Sequence, residues 1–345
     1  MVLKKRYLQY LKVFVFLLLG LVILWWITKG QDVDKLFKEF RNANYLWVFV
    51  AAILAILSHY VRALRWKVLI RSLGFNPTTS ETFRAVMSGY LANMLIPRMG
   101  EVSKCAVLSK SSKVPFNSLA GTMIAERFFD LVSLGVLFFF TLVFQFNFLK
   151  DFLYEFFIGK SVEDEFRVKA ILIVVVILLV LAGIIIAWFL YLKIKRSQPE
   201  TFLYKVKVQL EGLLKGVKTL WRTDAKLLFL AHTFLIWFLY FLVVFVVFLA
   251  IDATSHLSVA AGITLLAIGS IGFLAPVPGG IGTYHFVTIA TLTQLYLIEQ
   301  EPATSYAYIS HGMQMLSIIF ISAVLWLIAA VKTKKQNNNK SESVT

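Results

Sequence analysis

Three charged residues interrupt an otherwise apolar stretch, 118–146: Glu126, Arg127 and Asp130. A charge at the centre of a membrane span costs about 2.5–3.5 kcal/mol on insertion scales, so three unpaired ones would strain such a segment. Glu126 and Asp130 lie four apart on one helical face, with Arg127 three from Asp130, and local pairing leaves one net negative charge. Two readings fit. The cluster is a structural ion-pair knot near one end of a span, or it faces a cavity and clamps a partner arginine, for which Arg98 is the candidate.

Arg98 and Glu101 flank Pro97 and Gly100 in Pro97-Arg98-Met99-Gly100-Glu101, which ends the short apolar piece Glu81–Pro97. Proline removes a backbone donor and glycine weakens helical order, so a helix breaks there. The exposed amides of a half-helix beside an arginine suit a phosphate, which arginine grips bidentately. Asn93, just before the break, is placed to cap or pair it. A second break, Leu274-Ala275-Pro276-Val277-Pro278-Gly279-Gly280-Ile281-Gly282, divides the apolar stretch 257–298. At membrane depth a broken backbone is tolerated only where protein or a water-filled cavity receives its polar groups. It is therefore either a binding element or a tight loop between two ordinary spans. His285 begins the limb that leaves this break, and its imidazole titrates near neutral pH in an ordinary environment. Arg62 and Arg65 lie beside Trp66 at the end of an apolar stretch, where such residues commonly mark the membrane interface; they are also candidates for the cavity.

These residues sit in a chain of 345 residues that is 59% hydrophobic and 16% charged, with mean hydropathy +0.77. Soluble domains carry about 25% charged residues, so the expected class is an all-α polytopic membrane protein. Stretches near 8–27, 45–64, 118–146, 169–192, 227–250 and 304–331 are long enough to cross. The segments 81–112 and 257–298 are read as two broken, re-entrant hairpins, the second counted as two spans if it crosses fully. Lys4, Lys5 and Arg6 precede an apolar run, but no convincing cleavage site follows, so that run is kept as a span.

Loop charges set the expected orientation. Residues 1–12 and 62–80 each carry four basic and no acidic residues, and 193–226 carries nine against three. The segments 28–44 and 146–169 are balanced, with four against three and four against five. The bias puts both termini in the cytoplasm. The halves 1–146 and 169–331 then run in opposite directions around an external loop, 147–168, and each holds one broken hairpin; paired interrupted helices in inverted halves are a transporter pattern. The basic loop 193–226 reads as an amphipathic helix on the inner leaflet, and the polar tail 332–345 as disordered.

Several classes are excluded. The single cysteine, Cys105, allows no internal disulfide or cysteine metal cluster. The histidines lack metal-site spacing and no glycine-rich loop follows a strand, so neither metal nor cofactor is expected. The net charge of +16 reports orientation and anionic headgroups rather than nucleic acid.

Taken together, Asn93 to Glu101, Glu126-Arg127-Phe128-Phe129-Asp130 and Pro276 to Gly282 resemble hallmarks of the lysylphosphatidylglycerol synthase transmembrane (flippase-like) family. The resemblance covers nearly the whole chain. It implies a bacterial inner-membrane protein that moves a lipid between leaflets. Synthase members carry a soluble aminoacyl-transferase domain after the membrane part; the sequence holds none after its last span, so transferase activity is not expected. Many relatives have glutamate where this chain has His285, which removes the basis for a carboxylate-linked cation role there. The leading expectation is translocation of an anionic or polyprenyl-linked lipid. In it, Arg98 and the amides at the breaks hold the phosphate, Glu126 and Asp130 hold Arg98 or a cationic headgroup group, and Gly279, Gly280 and Gly282 permit close approach. A membrane-embedded lipid-linked transferase, and a partner subunit of a lipid-modifying enzyme, are the alternatives.

Overall fold

The computed structural model describes residues 2–145 and 225–342, with side chains from Phe14 and as far as Val331; the expected span 169–192, the external loop and the basic loop up to 224 lie outside them. Among the described residues the chain is helical throughout, without a strand. Helix α1 is Val2–Thr28, α2 Val33–Asn42, α3 Tyr45–Arg71, α4 Thr79–Leu95, α5 Met99–Ser112 and α6 Phe116–Phe144. After the undescribed segment come α7 Lys226–Phe248, α8 Val259–Gly272, α9 Thr283–Ala290 and α10 Gln300–Glu342.

Three helices, α3, α7 and α10, are long and apolar enough to cross a membrane alone. Helix α1 meets α2 at a bend of 98°, a fourth candidate if that pair is one span. α2 has no buried residue, and Asp32 caps it by accepting from the amides of Asp34 and Lys35. α6 is long enough as well, but it carries the Glu126–Asp130 cluster.

The first broken hairpin is α4 and α5, with 17 and 14 residues, each short of the roughly 20 that a crossing needs. A capping box starts it: Thr78 and Glu81 exchange side-chain bonds with each other's backbone amides. Pro97 ends α4, because the residue before a proline is driven out of the helical region, and Ile96 is extended at φ −134°. In the second hairpin, α8 and α9, the first helix ends at Gly272, and further on Val277, before Pro278, is extended at φ −106°. A single 3₁₀ turn, Pro278–Gly280, forms the tip, and α9 runs on into a π-helical turn, Thr291–Leu295.

The two tips touch. A Cβ on Gly279 would lie 3.8 Å from the Cα of Met94, the last turn of α4, and 3.3 Å from the sulfur of Met315 on α10. α10 ties itself to α4 through Trp326 Nε1, which donates to Ser88 Oγ at 3.1 Å, and through Ser322, which donates to the Met87 carbonyl at 3.3 Å. α1 lies along the second tip, where Gly20 meets Ile281 and Gly282. Trp66, Ile70, Ala85, Leu108 and Leu119 belong to one apolar core, and Phe248, Leu265, Leu292 and Tyr306 to another.

One expectation is corrected. The tail read as disordered is helical as far as Glu342, because α10 extends without a break past its apolar part. Each residue added to an existing helix gains a hydrogen bond without a new nucleation cost, and lysine and glutamine are good helix formers.

Candidate functional site

The two carboxylates of α6 are buried, and all three of its charges are paired, chiefly with residues from outside their own helix. Asp130 Oδ1 accepts from Arg65 Nη2 at 2.7 Å, and its Oδ2 accepts from Arg62 Nη2 at 3.0 Å. Glu126 Oε2 accepts from Lys104 Nζ at 2.6 Å, and its Oε1 lies 3.5 Å from Arg65. Glu101 stands 3.1 Å from Lys104 and accepts from Arg127, which is itself 3.5 Å from Asp130.

Followed around, these contacts close. Lys104, Glu126, Arg65, Asp130, Arg127 and Glu101 make a ring of six alternating charges drawn from α3, α5 and α6. Three positive and three negative charges cancel. Desolvating each ion costs several kcal/mol, and alternation is what repays it: every ring member has an opposite charge on both sides. Arg65 is fully buried and also approaches Thr233 at 3.4 Å and the face of Phe229 at 5.6 Å. Lys104 rests over Trp66 at 4.7 Å, and the Trp66 indole donates to Thr122 at 2.9 Å.

Arg62 is the seventh charge. Its ion pair is with Asp130, which Arg65 already neutralises. The residue is only 7% exposed, and its Nε has no hydrogen-bond partner in the structure. It lines a small cleft at the first break with Tyr90, Asn93, Glu101, Lys104 and Arg127. Asn93 closes that break: its Oδ1 accepts from the Gly100 amide at 2.6 Å. Gly100 must lack a side chain, since a Cβ there would overlap the Asn93 amide group and the Gly89 carbonyl. The cleft is thus lined by charged and amide side chains, and the seven charges of the ring and Arg62 sum to one positive.

The structure brings together Arg62, Arg65, Asn93, Gly100, Glu101, Glu126, Arg127 and Asp130. It does not bring Arg98 to them. Arg98 is exposed at the hairpin tip with φ 65°, and no side-chain bond holds it. The expected clamp of Glu126 and Asp130 on Arg98 is therefore replaced by Lys104, Arg65 and Arg62. The physical reason is reach: Arg98 is spent on the left-handed turn that starts α5, whereas Lys104 lies nearly two turns further on, facing α6. Sequence reasoning missed Lys104 and Tyr90. The i, i+3 spacing of Glu101 and Lys104 was the available signal for the lysine.

The second break is built differently. Pro276, Pro278, Gly279, Gly280 and Gly282 form a turn packed against α1, α4 and α10 rather than a charged cleft. His285 Nδ1 accepts from the Gly282 amide at 3.4 Å, and His311 Nε2 donates to the Gly279 carbonyl at 2.9 Å. The two imidazoles are 4.7 Å apart, and His285 lies 4.7 Å from the Tyr308 ring. Thr283 ties the limbs by donating to the Gly272 carbonyl at 2.7 Å, and Tyr284 bonds Ser310 at 2.9 Å. No group of three or more metal-ligating side chains occurs among the described residues.

Comparison with known proteins matches this chain over residues 11–329 to the lysylphosphatidylglycerol synthase TM region. The chain belongs to that family. A UPF0104 membrane protein of Methanothermobacter thermautotrophicus is 25% identical over 280 residues, 76% of this chain and 78% of the relative. One of Methanocaldococcus jannaschii is 33% identical over 112 residues, 32% of each chain. The glycosyltransferase AglD of Haloferax volcanii is 24% identical over 120 residues, 34% of this chain and 19% of that protein. The matches to the Methanocaldococcus protein and to a Pyrococcus horikoshii relative span about a third of those proteins' lengths. No solved structure matches significantly. With the apolar helices, family membership makes this an integral membrane protein embedded in a lipid bilayer.

Proposed function

We propose that this family member moves an anionic or polyprenyl-linked lipid between leaflets. The phosphate enters the cleft at the first break while the acyl chains stay in the bilayer. The observation that carries the reading is Arg62, a buried arginine in excess of a balanced ring, with an unpartnered Nε in a polar cleft. A surplus buried cation is costly until an anion joins it, so this site favours a phosphate over a neutral or cationic headgroup. Arg127, half-exposed at the same cleft, supplies a second fork.

In this reading the two hairpins belong to halves of opposite direction in the cell membrane, with both termini in the cytoplasm. The contact between Gly279 and Met94 supports it, because it joins the interrupted elements as paired re-entrant helices require. A headgroup-translocation assay in proteoliposomes tests the proposal. Arg62→Gln and Arg127→Gln are each expected to slow flipping of phosphatidylglycerol about tenfold. Flipping at the wild-type rate by the double variant would refute it.

A second reading, transfer on a lipid-linked substrate, takes support from the relative named a glycosyltransferase. Against it, Glu101, the carboxylate most open to the cleft, is held by both Arg127 and Lys104 and is poorly placed to act as a base. Turnover of a lipid substrate by detergent-purified protein would favour transfer.

A further inference from the structure

The six-charge ring is uneven. Glu126 and Arg65 are almost wholly buried at the side chain, whereas Glu101 is 21% exposed and Arg127 50% exposed. The link between these last two is therefore the ring's open side, and both residues line the cleft. Its loss strands neither end. Glu101 would keep Lys104, 3.1 Å away, and Arg127 would keep Asp130, 3.5 Å away. The Lys104–Glu126, Glu126–Arg65 and Arg65–Asp130 links instead join side chains at most 11% exposed, where solvent cannot make up for a lost partner.

From this we propose that Glu101 is an internal competitor: its carboxylate occupies on Arg127 the place that a ligand phosphate takes. This rests on the lipid-translocation reading above and deepens it, because it says how the cleft is closed when empty. An arriving phosphate bridges Arg127 and the surplus Arg62, and Glu101 retires onto Lys104. Charge supports the exchange. With Glu101 on Arg127 the ring and Arg62 together carry one net positive charge, and a singly charged phosphodiester brings the sum to zero without removing any acid from the ring. Because Glu101 is on α5 and Arg127 on α6, the exchange also removes one of the two α5–α6 ion pairs and leaves Lys104–Glu126. The ligand would thereby loosen the hairpin tip.

The test is a binding titration of the full chain in nonionic detergent. Short-chain phosphatidylglycerol, glycerol 3-phosphate and inorganic phosphate are added separately, with phosphatidylcholine as the zwitterionic control. Glu101→Gln is expected to bind the phosphate ligand at least threefold tighter than wild type. Arg127→Gln is expected to bind it at least tenfold weaker, and Glu101→Gln in the Arg127→Gln background to give no gain. Glu101→Asp, which keeps the charge but shortens the reach to Arg127, should give an intermediate gain and stands in if the glutamine variant does not fold. A preference for phosphatidylglycerol identifies the ligand as a lipid headgroup, and equal binding of inorganic phosphate identifies it as soluble phosphate; either agrees with competition. Binding by Glu101→Gln and Glu101→Asp no tighter than wild type, while Arg127→Gln still weakens it, overturns the competitor and leaves the translocation reading standing. Binding unaffected by Arg62→Gln and Arg127→Gln alike overturns both.

Discussion

The two broken hairpins solve one problem in opposite ways. Each interrupts a helix at a proline and must satisfy the freed backbone within the bundle. The first break does so with one side chain, Asn93 on the Gly100 amide, and surrounds itself with charge. The second uses His285, Thr283 and His311 on backbone groups and is ringed by Phe273, Tyr284 and Tyr308. Their backbones differ as well. At the second break the left-handed positions are all glycine, Gly279, Gly280 and Gly282, while at the first that position is Arg98. A non-glycine residue in that conformation costs about 1–2 kcal/mol. The first break thus holds strain and unbalanced charge, and the second is relaxed and tightly bonded. On the translocation reading, the first hairpin is the one suited to rearrange and the second the one suited to stay.

Substitutions can break or sharpen that contrast. The largest effect is expected from Asp130→Ala, which leaves Arg62 and Arg65 buried without their shared carboxylate. Loss of one partner of a buried pair costs about 3–5 kcal/mol, read as a fall in unfolding temperature in detergent. At the second break, Gly282→Ala should cost about 1–3 kcal/mol, since its φ is 84° and a Cβ would overlap the Gly20 carbonyl. The same measurement checks it. Arg98→Gly should act in the opposite direction, raising stability by about 1 kcal/mol by relieving the left-handed turn. If flipping also slows, the strain serves motion; unchanged flipping would make Arg98 a bystander.

The smallest effect lies outside both breaks, on α2. Partial burial, with Asp252 adding to it, raises the Glu39 carboxyl above its usual range. The folded state therefore binds the proton more tightly than the unfolded chain, so this group's stabilisation is present at low pH and is lost as pH rises through the raised value. Glu39→Gln should stabilise slightly, by under about 0.5 kcal/mol, at neutral pH and not at pH 4. Thermal melts at both values decide this.

Much of the architecture was legible from proline, glycine and apolar length. The first hairpin, expected over 81–112, begins at Thr79 and ends at Ser112, and the second, expected over 257–298, runs from Val259 to the turn ending at Leu295. Helix breaking is a local property, so local residues announce it. The charged ring was legible only in part. The spacing of Glu126, Arg127 and Asp130 marked one helix face, but nothing local distinguishes Arg62 and Arg65 from arginines that anchor a span at the interface. Their burial is decided by α6 and α7 packing against α3, a long-range fact. Lys104 was hidden for a related reason: α5 is polar enough to read as a surface connection, and only its place against α6 makes its lysine an interior residue.

The seat of Gly20 on Ile281 and Gly282 carries one more consequence. A Cβ on Gly20 would come within 2.7 Å of the Ile281 carbonyl oxygen, so the first helix is docked main chain to main chain on the second hairpin. Val277 Cγ1 closes the same gap at 2.8 Å, so the joint leaves little room to slide. If the two hairpins swing apart during a transport cycle, α1 must travel as cargo of the later hairpin, away from its sequence neighbours, and the hinge for that journey falls in the short link between Thr28 and Val33.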